Sequence, residues 1–111
     1  MVNYSGSTAT LDASFQALAH PVRRAIVRRL AQGPASVAEA SHGTGASKPA
    51  VTKHLHVLER AGIVNRAVAG RTHVLSLAPT PIADAGDWID DQRKLWERKF
   101  DVLADYLEET V

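Results

Sequence analysis

The chain has 111 residues, of which 45% are hydrophobic and 23% charged, and its formal net charge is +1 at pH 7. These values predict one globular domain with one hydrophobic core and exclude a disordered or low-complexity chain. Cysteine is absent, which excludes disulfides, thiolate metal ligands and cysteine nucleophiles. We expect a flexible N-terminus over residues 1–10, followed by a single domain over residues 11–111.

The charge is divided unevenly along the chain. Residues 1–80 hold nine Lys/Arg and three acidic residues, whereas residues 81–111 hold four Lys/Arg and nine acidic residues. Such asymmetry suggests a basic face that meets a polyanion and an acidic segment kept away from it. The polar N-terminal segment lacks the apolar core of a signal peptide, and no apolar run is long enough to span a bilayer. We therefore expect a cytoplasmic protein with no membrane partner.

Two helices are predicted before residue 34. Apolar residues recur at helical spacing after Thr10, which can cap a first helix that ends near Ala19. Pro21 suits the first turn of a second helix, where a missing N–H costs little. Gly33 and Pro34 end this second helix.

A third and a fourth helix follow, with a tight turn between them. Ser36 and Glu39 have the capping-box spacing and predict the start of a short third helix. Two glycines within residues 43–46 favour a turn. Ser47 can cap a fourth helix over residues 47–61, which Gly62 ends. A short helix, a glycine-containing turn and a second helix form a helix-turn-helix unit.

The pattern then changes from helix to strand. Residues 63–68 and 72–77 are rich in β-branched and apolar residues and predict a two-stranded hairpin over 63–77, with Ala69-Gly70 between the strands. Residues 82–109 repeat apolar side chains at steps of three and four and predict a long final helix. The fold class is therefore mainly α with a two-stranded β wing, a winged helix-turn-helix in the order α-α-α-α-β-β-α.

The fourth helix has two different faces on a helical wheel. Val51, Leu55 and Leu58 form its buried centre, and the opposite arc is polar, cationic and free of acidic residues. Such a face suits the major groove of duplex DNA, and basic residues near the wing tip suit an adjacent groove or backbone. The candidate DNA contacts are Ser47, Lys48, Pro49, Thr52, Lys53, His56 and Arg60 on the helix, with Arg66, Arg71 and Thr72 on the wing.

Each of these signals has a plainer explanation when taken alone. A single Lys or Arg on an outer helix face is explained equally well by solvent exposure, and Ser47 can act as a cap only. His54 lies beside apolar positions and is better explained as a hydrogen-bonded packing residue than as a ligand. The clustering of cationic and hydroxyl side chains on one helix-turn-helix unit favours DNA binding.

The stretches LAHPVRRAIVRRLAQGPASVAEA, SKPAVTKHLHVLERAGIV and NRAVAGRTHVLSL resemble the ArsR-type winged-helix repressors over about residues 11–79. The resemblance implies a homodimer built from the first and last helices, with the fourth helix in the major groove of a partly palindromic operator. Residues 88–109 resemble a branch of the family that has a long C-terminal helix.

The chain departs from this family at the metal sites that many members use. Residues 37–42 contain no Cys-x-Cys pair, and the last helix contains Asp84, Asp87, Asp90 and Asp91 but no histidine. Carboxylates alone make a poor site for transition metals, which prefer nitrogen and sulfur donors. We therefore expect no metal and no cofactor.

The last helix carries a broad apolar stripe that would leave aromatic side chains in water on an isolated domain this small. We expect it to pack on the first helix of a partner subunit and on its own core. The predicted dimerisation residues are Leu11, Phe15, Trp88, Trp96, Phe100, Leu103 and Leu107. A pocket for an unknown small-molecule effector between these helices is the less favoured alternative.

The leading functional hypothesis is a sequence-specific DNA-binding transcriptional regulator that acts as a repressor. The alternative is a protein-interaction module that uses the winged helix as a scaffold and docks a partner through its aromatic and acidic last helix. An enzyme is disfavoured because no nucleophile has a base at a recognisable spacing and no phosphate-binding glycine loop is present.

Overall fold

The computed structural model describes residues 8–110. These residues form α1 (Thr8–Ala17), α2 (Pro21–Leu30), β1 (Ala35–Ser36), α3 (Val37–Ser41), α4 (Lys48–Arg60), β2 (Val64–Ala69), β3 (Thr72–Leu77) and α5 (Pro79–Thr110). The order agrees with the predicted one except for the added strand β1. Residues 8–10, expected to be flexible, belong to α1, and the same expectation for residues 1–7 lies outside the described part of the chain.

Local hydrogen bonds set the starts of α2 and α3. The Nδ1 atom of His20 accepts a bond from the backbone N–H of Val22 at 3.1 Å, and Pro21 occupies the first turn of α2. Ser36 and Glu39 complete the predicted capping box, in which each side chain accepts from the other residue's backbone N–H at 3.1 Å. The backbone bond from Ser36 is the main reason that the pKa of Glu39 lies below its ordinary value.

The ends of α1 and α5 differ from the predictions. Helix α1 runs from Thr8 to Ala17 rather than from Thr10 to Ala19, and two arginines of α2 bind carbonyl groups at its C-terminal end. Helix α5 begins at Pro79 rather than at residue 82 and continues to Thr110. The earlier start is physically reasonable because the first turn of a helix makes no use of the N–H that proline lacks.

The sheet has three antiparallel strands in the order β1-β3-β2. In the wing, β2 and β3 pair from Val64 opposite Leu77 to Ala69 opposite Thr72, so the turn is Gly70-Arg71, one residue later than predicted. Gly70 has a φ of +64°, a conformation that side-chain-bearing residues rarely adopt. The two residues of β1 pair with β3, so the predicted two-stranded wing gains a third strand at its base.

The core lies between α2, α4 and the base of the wing. Its largest fully buried apolar side chains are Ile26, Leu55, Leu58, Ile63 and Leu75. The predicted buried side of the fourth helix is thereby confirmed, since Val51 is buried together with the two leucines. Burial of this side fixes which face of α4 remains outside.

Helix α5 extends far beyond the core. It packs on α1, where the rings of Phe15 and Trp88 meet edge to face with centroids 5.8 Å apart. From Arg93 to Glu109 every side chain is exposed. The radius of gyration is 18.7 Å, compared with about 13 Å for a compact domain of this length. The second half of α5 is therefore exposed and lies away from the core.

Candidate nucleic-acid interface

Helix α4 is anchored at both ends. At its start the Ser47 Oγ atom accepts a hydrogen bond from the backbone N–H of Ala50 at 3.3 Å. At its end Gly62, with a φ of +74°, donates to the Glu59 carbonyl at 3.0 Å, and Ile63 donates to the Leu58 carbonyl at 3.0 Å. This pair of bonds is a Schellman motif, which satisfies the last carbonyls of the helix. The boundaries predicted from Ser47 and Gly62 are confirmed.

The face of α4 opposite the core points to solvent along its whole length. The Oγ1 atom of Thr52 donates to the Lys48 carbonyl at 3.1 Å. The lone pairs of this hydroxyl oxygen can still accept a hydrogen bond. The Ser47 cap likewise uses the oxygen as an acceptor and does not use its O–H. The exposed predicted residues are Ser47, Lys48, Pro49, Thr52, Lys53, His56 and Arg60.

The one acidic residue of α4 is neutralised by the wing. Arg66 Nη2 donates to Glu59 Oε1 at 2.7 Å, and Arg66 Nε donates to Glu59 Oε2 at 3.3 Å. Within residues 8–110, no carboxylate pairs with the other four cations of this region: Lys48, Lys53, Arg60 and Arg71. The helix-turn-helix unit and its wing therefore present an excess of positive charge on one side of the molecule.

The wing carries its predicted contact residues in two different settings. Arg71 and Thr72 are exposed at the tip. Arg66, the third predicted contact residue, is half-buried: its guanidinium binds Glu59 and donates to His73 Nδ1 at 3.1 Å. The strand alternation contains the signal for this placement, because Arg66 is two residues from the buried Val64 and shares its face of the sheet.

An open concavity of about 420 Å³ lies between the wing and the start of α3. Its lining residues are Ser36, Val37, Ala38, Arg66, Arg71, Thr72 and His73. A second concavity, of about 470 Å³, separates α3 from the first half of α4. Each has at least one cation in its lining: Arg66 and Arg71 in the first concavity and Lys48 in the second.

His54 links α4 to the junction of α1 and α2, as expected for a packing residue. Its Nδ1 atom accepts from Arg23 Nη1 at 3.2 Å, and its ring centroid is 4.3 Å from that of His20. Arg23 also donates to the carbonyls of Ala17 and Gln16 at 2.7 and 2.9 Å. Arg23, on α2, therefore joins three helices through its side chain.

Burial lowers the pKa of His54, and the nearby charges of His20 and Arg23 lower it further. The unfolded chain then binds more protons than the folded chain below about pH 6.5, so the contribution of neutral His54 to stability falls on acidification. We expect His54→Gln to reduce the loss of stability between pH 7.5 and 5.5, measured by urea unfolding. His56→Gln, on the exposed face of the same helix, should leave that loss unchanged. Equal pH dependence of the two variants would contradict this role of His54.

The predicted dimerisation residues occupy two regions. Leu11 and Phe15 are half-buried on α1, where Phe15 contacts Trp88. Four others lie exposed along α5: Trp96, Phe100, Leu103 and Leu107. Trp96 is 59% exposed and contacts only the neighbouring ring of Phe100 among the aromatic residues described, at 5.8 Å. These four side chains lie on one side of α5 and form a continuous exposed apolar stripe.

Residues 8–110 contain neither a metal-binding cluster nor a helix able to cross a membrane. No group of three or more His, Cys, Asp or Glu side chains is placed to hold a metal ion in this part of the chain. None of its helices combines the length and apolar character that crossing a membrane requires.

Comparison with known proteins agrees with this geometry. Residues 18–67 match a helix-turn-helix domain family. The HTH-type transcriptional regulator Rv2034 of Mycobacterium tuberculosis is 42% identical over 87 residues, which cover 78% of this chain and 78% of that protein. The transcriptional repressor SdpR of Bacillus subtilis is 28% identical over 75 residues, covering 68% of this chain and 83% of SdpR.

The structural likeness extends beyond the helix-turn-helix unit. The crystal structure of the ArsR family transcriptional regulator RHA00566 superposes with a TM-score of 0.76 and 35% sequence identity. The superposition covers 87% of this chain and 97% of the RHA00566 chain. The predicted fold class is confirmed, with the short strand β1 as its addition. The chain therefore belongs to the ArsR family of winged helix-turn-helix transcriptional regulators.

Proposed function

We propose that this protein binds a partly palindromic operator in duplex DNA as a homodimer and represses transcription from it. The observation that carries the proposal is the solvent-facing side of α4, which has cations, hydroxyl groups and no unpaired carboxylate. Repression is the direction supported by the relative SdpR, which is a transcriptional repressor. The cytoplasm, where operator DNA is accessible, is the proposed location.

The dimensions of α4 suit the major groove. Its 13 residues span about 20 Å, and a helix of about 10–12 Å diameter fits a groove about 12 Å wide. Lys53, Arg60 and Arg71 are assigned to phosphates, because long cationic side chains at the rim of a groove reach the backbone. Salt should then weaken binding strongly, since each neutralised phosphate releases counterions.

The start of α4 is assigned to base and backbone recognition. Lys48 and His56 can donate to base acceptors, and Thr52 can donate or accept. Ser47 and the free N–H groups of the first turn suit a phosphate. Pro49 adds an apolar surface for a thymine methyl group. Thr72, at the wing tip, is assigned to the backbone or minor groove beside the tip arginine.

The homodimer is supported by the exposed apolar stripe of α5. A second copy would bury the stripe by two-fold symmetry and place two α4 helices on one side of the assembly. Two recognition helices read half-sites about one turn of DNA, or about 34 Å, apart. An apolar effector bound between the paired helices is the less favoured hypothesis.

Selection of bound sequences from a pool of random duplexes tests the proposal. We expect the purified protein to enrich one motif with two inverted half-sites, and to repress a reporter that carries this motif in its promoter. Retention of no duplex at low salt would contradict the proposal. Capture of a protein through α5 in the same preparation would then favour the protein-interaction module.

A further inference from the structure

The wing is connected to α4 by one side-chain network that lies outside the hydrophobic core. Arg66 donates two hydrogen bonds to Glu59, at 2.7 and 3.3 Å, and a third to His73 at 3.1 Å. The side chains of Arg66 and Glu59 are only 22% and 29% exposed. A bidentate pair of this kind fixes orientation as well as distance.

The network lies where the buried part of the wing ends. Val64 and Leu75 are buried at the base of the hairpin, and Arg66 pairs directly with Leu75 across the strands. Every side chain from Ala67 to Val74 is exposed. No side chain between Arg66 and the tip is buried, so none of them fixes the orientation of the tip. The half-buried pair of Arg66 with Glu59 is therefore the last contact that anchors the wing before its tip.

We propose that Glu59, Arg66 and His73 form a clamp that holds the wing tip, with Arg71 and Thr72, at a fixed position relative to α4. Arg66 is thereby a positioning residue and not a DNA contact. The clamp rests on the proposed function, since it matters for binding only if α4 and the wing engage one duplex together. A preset tip avoids the entropic cost of ordering the wing when DNA binds.

For the variant Glu59→Gln, the loss of a negative charge and the loss of the clamp predict opposite changes in DNA affinity. Removal of a negative charge near a polyanion should tighten DNA binding if charge alone decides. Loss of the clamp should weaken binding, because the tip then samples orientations that miss the backbone. Asp12→Asn is the matched control, since Asp12 is an exposed acid on α1 outside the network.

The test uses the full chain, the selected duplex and the variants Glu59→Gln, Arg66→Gln and the charge-swapped Glu59→Arg/Arg66→Glu. We expect Glu59→Gln and Arg66→Gln to weaken binding about tenfold, and the swapped pair to recover to within about threefold of wild type. The salt slope of Arg66→Gln should equal that of wild type, because no phosphate contact is lost. Backbone amides of residues 64–77 should exchange hydrogen faster in both single variants.

Two results would overturn the clamp. One is binding by Glu59→Gln that is as tight as that of Asp12→Asn. The other is a salt slope for Arg66→Gln that is flatter than that of wild type by about 0.9 per lost contact, while hydrogen exchange in the wing is unchanged. That result would make Arg66 a phosphate contact. If the wild-type protein binds no duplex, the proposed function fails. The clamp is then tested by hydrogen exchange alone, and unchanged exchange of residues 64–77 in the single variants would contradict it. Thermal unfolding of each variant verifies that it is folded.

Discussion

Replacement of Trp96 by aspartate is expected to convert the proposed dimer into a monomer at micromolar concentration. An aromatic anchor at the centre of an interface contributes about 2–4 kcal/mol, and the variant removes one from each protomer, so the dimer dissociation constant should rise by at least about 1,000-fold. A buried carboxylate without a partner adds a further desolvation cost. Sedimentation velocity measures the change directly.

The effect should be specific to the stripe, because Trp96 is exposed in the monomer and contributes little to its core. We therefore expect the unfolding transition of the monomer to move little, while operator affinity falls with the loss of the second recognition helix. Lys94→Asp is the control, since Lys94 lies about 160° around the helix from Trp96. A dimer that survives Trp96→Asp unchanged would contradict the assignment of the stripe to the dimer interface.

The double variant Lys53→Ala/Arg71→Ala is expected to bind the operator about 100-fold more weakly. It removes two proposed phosphate contacts per protomer and four per dimer, each an exposed charge pair worth about 0.7 kcal/mol. The slope of log affinity against log salt should flatten by about 0.9 for each lost contact, or about 3.6 in total. Fluorescence anisotropy at several salt concentrations measures both quantities.

The matched control for charge is Arg98→Ala/Lys99→Ala, which removes two cations from the exposed part of α5. If only net charge mattered, the two double variants would lose affinity equally. We expect the control to keep the wild-type salt slope, because its side chains lie outside the proposed DNA-binding face. A wild-type slope in Lys53→Ala/Arg71→Ala would show that these residues do not contact phosphate.

Much of this architecture follows from short-range rules that the sequence displays directly. The limits of α4 follow from Ser47 and Gly62, because a cap and a C-terminal glycine act within four residues. The capping box of α3 is equally local. The exposed face of α4 follows from the helical period once its apolar side is identified, so the residues of the proposed DNA interface on this helix could be chosen without coordinates.

Other features required the tertiary structure, because they join residues that no local pattern connects. Strand β1 has only two residues, too few for any period, and exists because Ala35 and Ser36 meet β3 about forty residues later. The roles of Arg23 and Arg66 likewise depend on partners in other elements: His54 for the first and Glu59 for the second. The helices, the hairpin and the polar face of α4 could be predicted from the sequence, since they depend on residues that are neighbours in the chain. The division of the cations into those bound inside the protein and those exposed to solvent required the packed structure, because it depends on distances between elements.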